Sequence, residues 1–424
     1  MTNPLPPDKP IFSFYGDDFT GSTDALEALA LNGVDAVLFP RTPDAGDLRR
    51  FASCRAIGIA GNSRSQSPEW MCRELPGIFA RLREIGAPVV QYKVCSTFDS
   101  SPQTGSIGHA LELGRQAFGG TWSAVVPAAP LLRRYVVFGH LFAADGGEVH
   151  RIDRHPSMTH HPVTPMEESD LRLHLARQTS LKLGLVDLVS LRGGNFAPPA
   201  DAEALLFDGF DAADMARAAQ LIWENRSAPR IFAVGSSGFT YGILDYFRRE
   251  GWLPAQAPAA RPAPVDRLLV LAGSCSTATS RQIHAALRDG FHGIRLDPAA
   301  AAWPDAESDA VAQLAAGRSV VIFSALGTLD RIAIADRRQL ATSMGRLLRA
   351  VILASGVTRV VVAGGDTSSH AVSELNLTAL TYGAALAPGA PLCHAHGWPR
   401  ELELVLKGGQ VGKEDFFGKV RSWA

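Results

Sequence analysis

The amino-acid sequence predicts an α/β protein of two domains, each a mostly parallel sheet flanked by helices. Three features carry that expectation. The chain has 424 residues, more than one ordinary core accommodates. Short apolar runs alternate with segments of 3.6-residue periodicity almost throughout, the pattern of a parallel sheet covered on both faces. The alternation breaks at "REGWLPAQAPAARPAPVDR" (249–267), a stretch rich in Pro and Ala without any period, which reads as a linker.

Taken in order, the expected strands of the first domain are "IFSFYG", "DAVLFP", "RAIGIAG", "PVVQYKV", "SAVVPA", "LGLVDL", "ALLFDGF" and "IFAVGS". Helical segments such as "SPEWMCRELPGIFARLREIG" and "DAADMARAAQLIWENR" lie between them. After the linker the pattern resumes with "RLLVLAGSCS", "SVVIFSALG" and "RVVVAGGDTSS". The expected division is therefore 1–250, a linker over 251–265, and 266–424. No internal repeat of solenoid period is present.

Composition narrows the function. Hydrophobic residues make 46% and charged residues 20% of the chain, with a formal net charge of −1. No basic surplus invites nucleic acid and no charged tail stands out. The N-terminal "MTNPLPPDKP" is polar and proline-rich, unlike a signal peptide, and no apolar run approaches the roughly 18 residues of a membrane span. Five scattered cysteines without C-x-x-C spacing read as reduced thiols, not a disulfide frame or a zinc site. A cytoplasmic protein is expected, with neither nucleic acid nor membrane as partner.

Six stretches invite chemistry. In "FSFYGDDFTGSTDALEAL" a strand hands over to a helix at Asp17 and Asp18, with Thr20 and Gly21 next. Ligands of open α/β sheets bind beyond the carboxyl ends of strands. Two carboxylates there can bind substrate hydroxyls, hold Mg2+, or accept a proton, or Asp18 or Thr20 can simply cap the helix. In "QYKVCSTFDSSPQTGSIGHAL" (91–111) a strand runs into Lys93, then Ser96, Thr97 and Asp99, a loop of small hydroxyl residues with a positive charge at its root. Cys95 lacks a nearby activating base and is not read as a nucleophile. In "HRIDRHPSMTHHPVTPMEESD" (150–170) Arg154, His161 and neighbouring histidines could line an anionic pocket, while the spacing of a zinc helix is missing.

The remaining three are glycine turns: "VLAGSCSTATSRQI", "RVVVAGGDTSSHAVSEL" and "LKGGQVGKEDFF". The first two take a strand into a helix whose N-terminus favours negative charge, with glycine permitting close approach, and the third is another glycine turn entering a helix. Neither G-x-x-x-x-G-K-[ST] nor a strand-following G-x-G-x-x-G occurs, which disfavours a P-loop NTPase and a standard dinucleotide-binding domain.

In this order the pieces resemble the four-carbon acid sugar kinase family. The matching motifs are "DDFTG" (Asp17 to Gly21), "GSCS" (Gly273 to Ser276), "GGDT" (Gly364 to Thr367) and "KGGQVG" (Lys407 to Gly412). The last departs from the K-S-G-N-F-G-like pattern at Gly408, Gln410 and Val411. "CSTFDSS" and "HHPVTPMEESD" are like the 3-oxo-tetronate branch, whereas "LLRRYVVFGHLFA" and "RIDRHP" are not typical of it.

The resemblance implies an N-terminal sugar-acid-binding domain, a C-terminal nucleotide-binding domain and an active-site cleft between them. It implies ATP-dependent phosphorylation of a terminal hydroxyl on a 3-oxo-tetronate, threonate or erythronate type of acid, or of a branched acid such as 3-oxo-isoapionate. Asp17 or Asp18 would be the catalytic base. Lys93, Arg154 and His161 would hold the carboxylate, with Thr20, Gly21, Ser96, Thr97 and Asp99 around the substrate. Ser274, Cys275, Ser276, Gly364, Gly365, Asp366, Thr367, Gly408 and Gly409 would hold ATP. Mg2+ would bridge the phosphates, with no metal ligand assigned. A homodimer is the expected assembly for an enzyme of this size. The rival readings are a two-domain binding protein that closes on a sugar acid without chemistry, and a dehydrogenase.

Overall fold

Every apolar run singled out in the sequence forms a strand in the computed structural model, which describes residues 4–6, 9–161, 163–194, 196, 199–254, 261–300, 302–327 and 337–423, the side chains of 337, 338 and 366 excepted. The chain divides into two compact units, Met1–Val37 with Arg41–Ala257, and Leu38–Pro40 with Pro258–Ala424. Within the expected linker, residues 255–260 lie outside the described residues.

The first unit contains β1 (Phe12–Gly16), α1 (Phe19–Leu31), β2 (Ala36–Phe39), α2 (Ala45–Arg50), β3 (Ala56–Ala60), α3 (Pro68–Ile85), β4 (Val89–Lys93), α4 (Ile107–Phe118) and β5 (Ser123–Val126). It continues with β6 (Arg134–Val137), β7 (His140–Asp145), β8 (Glu148–Arg151), α5 (Leu171–Ala176), β9 (Leu183–Val186), α6 (Leu188–Gly193), β10 (Ala204–Phe207), α7 (Ala212–Glu224), β11 (Ile231–Gly235) and α8 (Ser237–Arg249). The order across its large sheet is β2-β3-β1-β4-β11-β5-β10-β9. From β3 to β9 the pairs are parallel. The central strands are buried along their whole length, as strands covered on both faces must be, and their sequences are correspondingly near-continuous apolar runs.

Register positions the site. Ala60, Gly16, Lys93, Gly235 and Val126 stand side by side across β3, β1, β4, β11 and β5. The loops after these five strands therefore leave the sheet at one level. From β1 the chain goes to the outer β2 and returns to β3 on one side, then places β4 on the other, so the strand order reverses at the β1/β4 boundary, the usual place for a ligand.

Strands β6, β7 and β8 form a separate antiparallel sheet that sequence periodicity did not reveal. Its strands are short and joined by tight turns, with φ of 52° at Phe138, 82° at Gly139 and 58° at Gly146.

The second unit contains β12 (Leu269–Ala272), α9 (Thr277–Arg288), β13 (His292–Arg295), α10 (Pro304–Ala315), β14 (Val320–Phe323), α11 (Arg337–Ser355), β15 (Arg359–Ala363), α12 (Gly365–Leu375), β16 (Ala379–Ala387), β17 (Ala390–His396), β18 (Glu403–Lys407) and α13 (Phe416–Ser422). The order is β13-β14-β12-β15-β18-β17-β16. The first five are parallel, and β17 runs antiparallel to both β18 and β16. Phe323, Ala272, Ala363 and Lys407 share one register level. Val270, Val361 and Val405 of the sheet pack with Ile283, Phe416, Phe417 and Val420 of the covering helices. No described helix is long and apolar enough to cross a membrane.

Arg359, fully buried at the root of β15, ties this unit together. Its Nε meets Glu403 Oε2 at 2.7 Å, Nη1 donates to Val420 O and Nη2 to Ala263 O, each at 2.9 Å. One guanidinium thus satisfies a strand neighbour, the last helix and the segment entering the unit. Arg359→Ala strands the Glu403 carboxylate and the buried Val420 carbonyl and frees the Ala263 carbonyl, so denaturant unfolding is expected to show a loss of about 3–5 kcal/mol.

Candidate active site

Asp18 has non-helical backbone and caps α1, its Oδ1 accepting from the Gly21 N–H at 2.5 Å and the Thr20 hydroxyl at 3.2 Å. Its Oδ2 takes Nη1 of Arg64 at 2.7 Å. The other arm of Arg64, Nη2, donates to both oxygens of Asp99 at 2.9 and 3.0 Å. Asp99 also accepts from the hydroxyls of Thr97, at 2.5 Å, and Thr164, at 2.8 Å. Arg64 thus bridges carboxylates delivered from the ends of β1 and β4.

Lys93 closes β4 with its side chain buried. Its Nζ meets Asp24 Oδ2 at 3.1 Å and donates to Val94 O at 3.2 Å. Gly21 is required for this geometry: a Cβ there would fall 2.8 Å from Asp18 Oδ1 and 3.2 Å from Lys93 Nζ.

Asp17 stands apart. It is 4% exposed, and its buried Oδ1 has no hydrogen-bond partner among the described residues. Burial, reinforced by the neighbouring Asp18 charge, pushes its carboxyl up to about 8, against the pull of Arg64 and Lys93. Asp18 goes the other way: burial would raise it, but Arg64 and the Gly21 N–H hold it below the ordinary carboxylate range. Asp99 behaves likewise, burial being overcome by Arg64 and then His161. Two adjacent carboxyls are thereby separated into a fixed anion and a group that exchanges its proton near neutral pH.

Of the other expected residues, Ser96 and Thr97 are buried in the loop after β4. His161 Nδ1 lies 3.9 Å from Asp99 Oδ2 and accepts from Thr164 N. Arg154 is exposed and makes no hydrogen bond or ion pair with these acids, among the described residues. Sequence reasoning missed Arg64, Asp24 and Thr164. Arg64 was findable, since it lies in the polar loop after "RAIGIAG", one strand over from Asp17. Phe98, buried with φ of 55°, sets the backbone just before Asp99. Behind it, Ser100 Oγ meets His174 Nε2 and Gln178 Nε2, each at 2.9 Å, and burial takes His174 down to about 4, leaving a neutral ring.

In the second unit the three glycine turns follow adjacent strands at one register level and interlock. A Cβ on Gly273 would fall 2.1 Å from Thr367 Oγ1, one on Gly364 (φ 122°) 3.2 Å from Ser274 N, and one on Gly409 2.4 Å from Ser274 Oγ. Gly408 has ordinary space around it, so of this glycine pair only Gly409 is sterically demanded. Ser276 caps α9, and its hydroxyl and that of Thr279 donate to Gly409 O at 2.5 and 2.9 Å. Cys275 is partly exposed between them, Gly365 opens α12 beside the buried Thr367, and the Asp366 side chain lies outside the described residues.

Lys407, also missed, ends β18 fully buried and donates to Thr279 Oγ1 at 3.1 Å. Burial alone brings it down to about 7. Amide N–H groups, hydroxyls and a lysine without a counter-charge among the described residues suit a phosphate chain. Among the described residues no group of three or more His, Cys, Asp or Glu gathers as a metal site, and no disulfide forms.

Residues 12–243 match a family described as a sugar-binding N-terminal domain, and residues 269–417 one described as a nucleotide-binding C-terminal domain. The chain is 44% identical to a 3-oxo-isoapionate kinase of Paraburkholderia graminis, over 97% of this chain and 94% of the relative. It is 33% identical to a 3-oxo-tetronate kinase of Cupriavidus necator, over 97% and 96%. Among solved structures, a Haemophilus influenzae protein superposes with a TM-score of 0.70 at 25% identity, covering 96% and 98%. A Salmonella typhimurium chain bearing the name of a tRNA synthase superposes with 0.76 at 23%, covering 97% and 98%, a likeness of fold.

Lys407 supplies a test of the second site. Its pKa is depressed in the fold, so between about pH 7 and the ordinary lysine range the unfolded chain holds the extra proton. The cost of burying it is full below about pH 7 and fades as pH rises. Lys407→Met is expected to raise the melting temperature of the ligand-free protein at pH 7. In the same thermal-shift series it is expected to weaken stabilisation by added nucleotide.

Proposed function

The chain belongs to the four-carbon acid sugar kinase family, and we propose that it transfers the terminal phosphoryl group of ATP to a terminal hydroxyl of a small 3-oxo sugar acid. The observation that carries the reading is Asp17, a buried carboxyl without a hydrogen-bond partner beside acids already neutralised by Arg64. A binding protein gains nothing from an unpaired buried carboxyl, whereas a general base needs an open lone pair near the acceptor hydroxyl.

In this mechanism Asp17 accepts the proton as the hydroxyl attacks. Asp18 stays ionised on Arg64 and fixes the start of α1, with Thr97 and Asp99 shaping the loop opposite. The sugar acid belongs to the first unit and the nucleotide to the turns at Ser274–Ser276, Gly364–Thr367 and Gly409, with Lys407 beneath them. ATP enters as its Mg2+ complex, which supplies charge neutralisation on the phosphate oxygens. Four-carbon acids of the 3-oxo-tetronate type are the main substrate reading. The branched 3-oxo-isoapionate is the second, favoured by 44% against 33% identity to the two kinds of relative.

The direct test is ADP release with ATP, Mg2+ and both acids in parallel. Release without any sugar acid, or none with either, sinks the kinase reading. With the active acid, Asp17→Asn is expected to cut kcat by roughly 10²–10⁴-fold. Asp17 must be ionised to take a proton, so wild-type kcat/KM should rise with pH and level off above about 8. A flat profile from pH 6 to 9 would assign the base elsewhere.

A further inference from the structure

A sugar acid carries a carboxylate as well as the hydroxyl that reacts. The cations at the centre of the first unit are engaged already: Arg64 holds Asp18 and Asp99, and Lys93 holds Asp24. Arg134 is not. It follows β5, one of the five strands that end at the common level, and its backbone is bridged to Ala129. The preceding Arg133 has φ of 57°, so a left-handed turn sets the direction in which Arg134 enters β6.

The guanidinium is half spent. Nη1 donates to Leu132 O at 2.6 Å and Arg133 O at 3.4 Å. Nε is buried without a hydrogen-bond partner and Nη2 donates to nothing, among the described residues, and the carboxylate felt at Arg134, that of Asp145, acts on it without a hydrogen bond among the described residues. Nε and Nη2 form the edge of arginine that receives a carboxylate side-on with two parallel hydrogen bonds. A buried N–H on that edge costs stability unless a ligand fills it.

Its surroundings point toward the same pocket. The Cys95 thiol, in the loop after β4, lies within electrostatic reach of Arg134 as well as of Arg64 and Lys93, and Arg133, Asp145 and Tyr135 act on Arg134 too. His155 is within reach too. Its Nδ1 accepts from the backbone of Ser157 and Met158, leaving Nε2 as the donor, and that buried Nε2 faces the Ala144 carbonyl without a well-formed hydrogen bond among the described residues.

We propose that Arg134 anchors the substrate carboxylate, receiving it on the Nε–Nη2 edge while Asp17 faces the hydroxyl at the other end. This rests on the sugar-acid kinase reading and moves the carboxylate contact away from Lys93 and Arg154. Arg134 then selects acids over the corresponding polyols.

The test is steady-state kinetics of the full-length protein with the sugar acid that wild type accepts, alongside the carboxamide or polyol of the same chain. Arg134→Gln is expected to raise KM for the acid by roughly 100-fold or more, to leave KM for ATP unchanged, and to erase the preference for acid over its uncharged analogue. Arg134→Lys, which cannot present a fork, should recover only part of the loss. Thermal stabilisation by the sugar acid should vanish in Arg134→Gln while stabilisation by ATP persists, a readout independent of turnover. An unchanged KM for the acid overturns the assignment, and so does a rise in KM for ATP alone, which would make the site one for phosphate. Wild type inactive on every sugar acid would instead be the failure of the kinase reading.

Discussion

The first unit depends on Arg64 standing between Asp18 and Asp99. Three carboxylates and a lysine gathered at the ends of β1 and β4 could not remain charged in a dry site without it, because burial raises every one of these acids. Arg64 resolves the conflict unequally. It fixes Asp18 and Asp99 as anions and leaves Asp17 to bear the cost of desolvation. The result is one carboxyl able to exchange a proton within a scaffold of charges that do not move.

That arrangement is possible because the strands are in register. Ala60, Gly16, Lys93, Gly235 and Val126 end together, so the loops that carry Arg64, Asp17 and Asp99 begin at one level, and the chain after Val126 reaches Arg134 only at the start of β6. The second unit repeats the geometry with opposite chemistry. Ala272, Ala363 and Lys407 end together, and beyond them stand glycines, hydroxyls and the Cys275 thiol, with Lys407 having no acid beside it among the described residues. One edge gathers buried carboxyls around an arginine, and the other gathers glycines and hydroxyls around a buried lysine.

Much of this was legible residue by residue. The apolar runs named β1 to β5, β9 to β12, β14 and β15 because strands buried on both faces are dominated by apolar residues, with polar exceptions such as Lys93 and Arg359 near their ends. The short hairpins β6 to β8, and β13 and β16 to β18, escaped. Their faces are partly solvated, and "HGIR" or "ALTYGAALA" has no period that separates strand from coil or helix. The glycine turns were legible as turns. That Gly409 is obligatory and Gly408 is not depends on where Ser274 comes to rest, about 135 residues earlier in the chain.

What the amino-acid sequence determined by itself was the class of fold, the strand-end placement of Asp17 and Asp18, and the pairing of an acidic first half with a glycine-punctuated second half, since each follows from local periodicity and local residue chemistry. What only the tertiary structure decided was the division of labour: Asp18 as cap and fixed anion, Asp17 as the exchangeable carboxyl, Lys93 committed to Asp24, and Arg134 with an unfilled edge. Those roles follow from desolvation and from which charge lies within about 3 Å of which, and both depend on partners that the chain brings together from far apart.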